Sequence, residues 1–113
     1  MSFAPNSTQV PHLLIREWMP KLSDTGLRLA LIIIDQTLGW IEDPITKRRK
    51  EKDWISYSQL MEKSGRQRQA VSMALRELEN LNIIEISDKY GNILNNIKER
   101  RGKQLFYRII TSM

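Results

Sequence analysis

The chain has no cysteine. Disulfides and thiolate metal sites are therefore excluded, and an intracellular location is permitted. There is a single histidine, His12, which cannot build a metal site or a Ser-His-Asp arrangement by itself and reads as structural or exposed. The longest apolar run, Leu29 to Ile34, falls far short of the roughly 20 residues that span a bilayer. The N-terminus, MSFAPNSTQVP, lacks a basic start and an apolar core, so it is not expected to be a secretory signal. No Gly-rich phosphate loop, HExxH or GxSxG is present. The carboxylate pairs Glu42/Asp43 and Glu77/Glu79 are adjacent or nearly so, with no partner acid at a defined spacing. The expectation is a protein that is not an enzyme, with no cofactor, metal or membrane partner.

The 113 residues, 41% hydrophobic and 27% charged, suit one domain with one modest core. The net charge of +5 is unevenly placed. Residues 1–56 hold 8 Lys/Arg and 7 Asp/Glu, whereas residues 57–113 hold 10 and 6. The excess thus sits in the second half, where it could form an electrostatic footprint for nucleic acid, although many small proteins carry such a charge without binding anything.

Residues 1–10 read as a polar arm and 11–113 as a single domain. Pro11 opens a short helix that ends at Pro20, with Leu14, Trp18 and Leu13 facing inward. Ser23 caps a second helix that runs to Leu38 and stops at Gly39. In it Leu27, Leu31, Ile34 and Leu38 form one stripe, widened by Ala30, Ile32 and Ile33, and Trp40 closes the core. Residues 42–53 lack apolar periodicity and read as an exposed loop, whose Lys47, Arg48, Arg49 and Lys50 either touch phosphates or are simply solvated.

The stretch Trp54 to Ile86 is the most informative. Trp54-Ile55 is a short strand, and Ser56-x-x-Gln59 is a capping box. The helix it opens buries Leu60 and Met61 and ends at Gly65. After Arg66-Gln67 a further helix runs from Arg68 to Leu81, with Asn82 in the left-handed position past its end. Ile83–Ile86 and Leu105–Ile110 are strands of one hairpin. Residues 87–104 between them form an extended wing with turns at Gly91 and Gly102.

On a helical wheel Val71, Ala74, Leu75 and Leu78 fall within about 100° of one another and define a core face. Gln69, Ser72, Met73, Arg76 and Asn80 lie opposite, with Arg68 on the flank and Gln67 at the start. Gln pairs bidentately with adenine and Arg with guanine, while Ser serves bases or phosphates. The candidate DNA-reading set is therefore Gln67, Arg68, Gln69, Ser72, Met73 and Arg76. Met73 fits either a thymine methyl or a solvated surface. The candidate backbone contacts in the wing are Lys89, Lys98, Arg100, Arg101 and Lys103, against which stands the reading of a mobile, charged hairpin. Trp18, Trp40 and Trp54 are expected in the core.

Three segments together resemble the N-terminal, origin-binding domain of the bacteriophage replication protein O family. They are Thr8-Gln9-Val10-Pro11 leading into Leu13-Leu14 and Glu17-Trp18-Met19-Pro20-Lys21-Leu22-Ser23, then Thr37-Leu38-Gly39-Trp40, then Ile55-Ser56 through Ile84. The chain departs from the pattern at Gly26, where an acidic residue is expected, and at Gln67, in place of a Ser or Thr cap. The resemblance implies a cytoplasmic replication initiator, bacterial or in a phage-infected host. It also implies a homodimer on repeated sites and recruitment of a helicase or helicase loader through a C-terminal region absent from this chain. The expected fold is α+β, mostly helical: a winged helix-turn-helix with a small antiparallel sheet. The expected function is sequence-specific binding of double-stranded DNA. A winged-helix transcriptional regulator and a winged-helix protein-interaction module are the alternatives.

Overall fold

Pro11 opens the first helical segment, its carbonyl accepting from Leu14 N at 3.1 Å. The computed structural model describes residues 8–38, 41–43, 45, 46 and 48–110, and for 41–43, 48 and 97 the backbone alone. The start of the arm, the Gly39 stop, the Trp40 lid and Lys47 lie outside the described residues. The first helical segment widens into a π turn, Leu14–Trp18, and tightens into a 3-10 turn, Met19–Lys21. Pro20 does not end it, because in the first turn of the 3-10 segment its missing N–H is not needed. Leu14 and Trp18 are buried, as expected.

Helix α1 (Asp24–Gln36) starts at Ser23, whose hydroxyl accepts from Gly26 N at 3.0 Å. It ends at Thr37, whose hydroxyl donates to Ile33 O at 2.7 Å. Its buried face is Gly26, Leu29, Ala30, Ile33 and Ile34. The expected stripe of Leu27, Leu31, Ile34 and Leu38 is therefore rotated, and Leu31 is 39% exposed. The helix is apolar on several sides, so hydrophobic spacing alone did not choose its face. The small residues Gly26 and Ala30 permit close packing, and α1 packs on both later helices and on the sheet.

Helix α2 (Tyr57–Ser64) opens with the full capping box: Gln59 N donates to Ser56 Oγ at 3.1 Å and Ser56 N to Gln59 Oε1 at 2.9 Å. Gly65 ends it at φ 71°, the left-handed region open to glycine at little cost. Helix α3 (Arg68–Asn80) follows and buries Val71, Ala74, Leu75 and Leu78, the face the wheel selects. Asn82 then turns the chain at φ 58°. Helix α1 holds the turn from outside: Arg28 Nη1 donates to Ser64 O at 2.8 Å and Arg66 Nε to Thr25 Oγ1 at 3.3 Å.

Within the expected loop, β1 (Ile41–Asp43) and β2 (Arg48–Arg49) pair antiparallel, and β3 (Lys52–Trp54) follows. The loop reading is corrected here: backbone hydrogen bonds suffice for a short hairpin without apolar alternation. Strands β4 (Ile84–Ser87) and β5 (Phe106–Ile109) pair antiparallel, and β3 adds to the other edge of β5, giving the order β3-β5-β4. Tyr107, Ile109, Ile84 and Ile86 are buried. Trp54, expected in the core, is 45% exposed and lies opposite the half-buried Phe106. The result is an α+β fold of winged-helix-like design.

The wing is more structured than an extended loop. Its first part doubles back beside β4, with Leu94 N donating to Ile86 O at 2.9 Å and Leu94 buried. Its second part holds a single turn, α4 (Ile97–Arg100), capped by Asn96, which accepts from Glu99 N at 2.9 Å. Gly91 (φ 88°) and Gly102 (φ 73°) are the turn points, as expected.

Candidate nucleic-acid interface

The N-terminal end of α3 projects from the helix-turn-helix with Gln67, Arg68, Gln69, Met73 and Arg76 exposed and Ser72 half-buried. Gln67 occupies the N-cap position but makes no capping hydrogen bond, so its amide and the first N–H groups of α3 have no side-chain cap. Arg68 is held over the Tyr57 ring, 4.8 Å from guanidinium carbon to centroid. Ser72 Oγ donates to the same residue's hydroxyl at 3.3 Å. Tyr57 thus orders two of the six candidate residues. Sequence reasoning missed it, because Tyr57 and Ser72 are separated by 15 residues and no local pattern joins them.

Both carboxylates of α3 are engaged by groups of the fold. Glu77 Oε1 accepts from Ser23 N at 2.8 Å, at the start of α1. Glu79 pairs with Arg100 of the wing. The outer face of α3 from Arg68 to Arg76 therefore carries positive charge, neutral hydrogen-bonding groups and the exposed Met73, with no carboxylate.

The wing and α3 border an open cleft of about 1110 Å³. Arg68, Ser72 and Arg76 of α3 and Lys98, Arg101 and Lys103 of the wing line it, together with Trp54 and Tyr57. Lys98, Arg101 and Lys103 are exposed. Lys89 lies apart, at the first wing turn, with its ammonium 5.1 Å from the Tyr90 ring centroid. Arg100 is directed inward: besides Glu79 it binds Leu94 O, from Nε at 3.0 Å and from Nη2 at 2.6 Å. In the basic loop, Arg49 Nη2 donates to Gln9 Oε1 at 3.1 Å and Lys50 pairs with Asp53 at 3.2 Å. Those two cations already have partners, and Arg48 is described by its backbone alone. Among the described residues no cluster of three metal-ligating residues occurs and no helix is long and apolar enough to cross a membrane.

A helix-turn-helix followed by a β-hairpin wing, with a cationic cleft between them, defines a winged-helix-like protein. Within that class the chain belongs to the bacteriophage replication protein O family, whose model matches residues 7–99. The family gives the chain a role in phage replication. Comparison with curated proteins and with solved structures returned no match.

Proposed function

We propose that the protein binds duplex DNA sequence-specifically at a replication origin, with α3 in the major groove and the wing on the backbone. The observation that supports this is the engagement of Glu77 by Ser23 and of Glu79 by Arg100, which leaves no unpaired carboxylate beside Arg68, Gln69, Ser72 and Arg76. Gln69 and Arg76 are the base-reading candidates, with Gln67 and Arg68 at the groove entrance. Met73, 65% exposed, suits a thymine methyl. Lys98, Arg101 and Lys103 are the phosphate candidates. Homodimerisation and delivery of a helicase or its loader would follow from the family's replication role.

Selection of bound sequences from random duplex DNA tests this directly. The expected result is a short preferred motif with an affinity that falls steeply with salt. Gln69→Ala and Arg76→Ala should each lose about 1–3 kcal/mol at one base position, whereas Lys103→Ala should lower the salt slope by about one at every sequence. An affinity flat with salt would refute phosphate contact and favour a protein-interaction module. Iterated repeats favour an initiator, and a single promoter palindrome favours a regulator.

A further inference from the structure

Arg100 opens the densest cationic stretch of the wing, Arg100 to Lys103, yet its guanidinium is taken up by groups of the protein itself. It binds the Glu79 carboxylate of α3 and the carbonyl of Leu94. The two side chains are 14% and 24% exposed. Leu94 is itself fixed, since it is buried and hydrogen-bonded to Ile86. The guanidinium therefore joins three parts of the fold: α3, the segment of the wing that doubles back beside β4, and α4. Charge-assisted bonds from a planar guanidinium to two anchored acceptors constrain direction as well as distance. Among the described residues this is the only ion pair between α3 and the wing. Both members line the cleft together with Arg68 and Arg76 of α3 and Lys98, Arg101 and Lys103 of the wing.

We infer that Glu79 and Arg100 are positioning residues that set the separation of α3 from the wing, and that Arg100 is not itself a phosphate contact. This rests on the duplex-DNA reading of the cleft. The pair fixes the register between base-reading groups on α3 and phosphate-binding groups on the wing. A loosened wing would still offer its cations to any DNA, but no longer at the spacing that the base contacts require. Specific binding then suffers more than non-specific binding.

The sign of one substitution separates this from ordinary electrostatics. Removing a carboxylate from a DNA-binding face raises affinity when the carboxylate acts only through its charge. The positioning role requires the opposite: the near-isosteric Glu79→Gln should weaken binding to the preferred duplex by about tenfold, the size of one well-placed contact. Arg100→Gln should do the same with the salt slope unchanged, and the double variant should be no worse than either single. The exchange Glu79→Arg with Arg100→Glu should recover most of the loss. Tighter or unchanged binding by Glu79→Gln would overturn the inference, as would a salt slope lowered by about one in Arg100→Gln, the signature of a lost phosphate contact. If the unaltered protein binds no duplex, the DNA reading fails separately. Hydrogen exchange of residues 95–103 in the free protein then decides: faster exchange in Glu79→Gln sustains the link, and unchanged exchange sinks it.

Discussion

Gly26 occupies the first turn of α1, where an alanine would ordinarily stabilise the helix by about 0.5–1 kcal/mol. The structure gives a reason for glycine there. A Cβ built at position 26 would lie 2.7 Å from Glu77 Oε1 and 3.2 Å from Glu77 Cδ. The carboxylate therefore occupies the space a side chain would need, and from there it accepts from Ser23 N at 2.8 Å. An acidic residue at position 26 would also set two carboxylates against each other. Here the negative group near the start of α1 comes from α3, where the unsatisfied N–H groups and the helix dipole favour it.

Gly26→Ala must displace Glu77. A hydrogen bond to a charged group contributes about 1.5–3 kcal/mol, and the lower end applies because this one is exposed and Ser23 N can turn to water. Loss of the dipole interaction adds a further 0.3–1 kcal/mol or so. Set against the alanine gain, Gly26→Ala should destabilise the protein by about 1 kcal/mol. In a Glu77→Ala background the Glu77 obstruction is gone and only the Ser23 hydroxyl, 3.2 Å from the Cβ, must give slightly, so the same substitution should stabilise by about 0.5–1 kcal/mol. The sign inverts, with a coupling energy of about 1.5–2 kcal/mol. Urea unfolding of the four proteins measures each quantity from the shift in midpoint at constant slope. An equal effect of Gly26→Ala in both backgrounds would refute the assigned role of Glu77.

Tyr57→Phe keeps the ring beneath Arg68 and frees only Ser72, whereas Tyr57→Leu removes both supports. The leucine variant should bind duplex about two- to fivefold more weakly than the phenylalanine variant, the value of an exposed cation–π contact, and Arg68→Ala should erase that difference in a binding titration. Gln67→Ser should raise stability by about 1 kcal/mol, because the N-cap of α3 has no side-chain bond. If Gln67 reads a base, the same variant loses preference at one position of the site, so thermal melting and sequence selection move in opposite directions. Asp88 accepts from Tyr90 N and Asn92 N, both at 2.9 Å, and from Asn92 Nδ2 at 3.1 Å. Burial pushes its carboxyl up, but these bonds and Lys103 outweigh that and hold it below the usual carboxylate range. Its contribution is therefore present above the ordinary aspartate value of about 3.9 and is lost as pH falls through the lowered folded value. The protection of the Tyr90 and Asn92 amides, relative to their intrinsic exchange rates, should fall across that acid window, and Asp88→Asn should abolish this fall.

Helix α3 was legible in the sequence because its two faces differ in kind: Val71, Ala74, Leu75 and Leu78 against Gln69, Ser72 and Arg76. The capping box, Gly65 and Asn82 were legible because each answers a local backbone need at a fixed offset. Helix α1 was legible as a helix but not in orientation, since Leu27 and Leu31 are as apolar as Leu29 and Ile33 and only the tertiary neighbours choose between them. The β1–β2 hairpin was not legible, because Ile41 and Arg49 face each other through backbone register and not through a side-chain pattern. Nor was the inward role of Arg100. In the sequence it is one of four cations between Lys98 and Lys103, and its partner Glu79 lies 21 residues away.

The distribution of carboxylates explains why a net charge of only +5 can concentrate on one surface. Glu77 is held at the start of α1, Glu79 under the wing and Asp88 within its own turn. Glu99 accepts from Asn95 N at 2.9 Å and from Asn96 Nδ2 at 3.2 Å. Across the cleft Arg76, Lys98 and Arg101 have no ion-pair partner among the described residues. The acids are thus consumed in building the wing and in fixing α1 to α3, while most of the cations around them are left to solvent. The interactions that stabilise the helix-turn-helix and wing are the same ones that separate the charges. A substitution that frees one of these carboxylates, such as Arg100→Gln or Asn96→Ala, therefore loosens the scaffold and dilutes the positive field in one step.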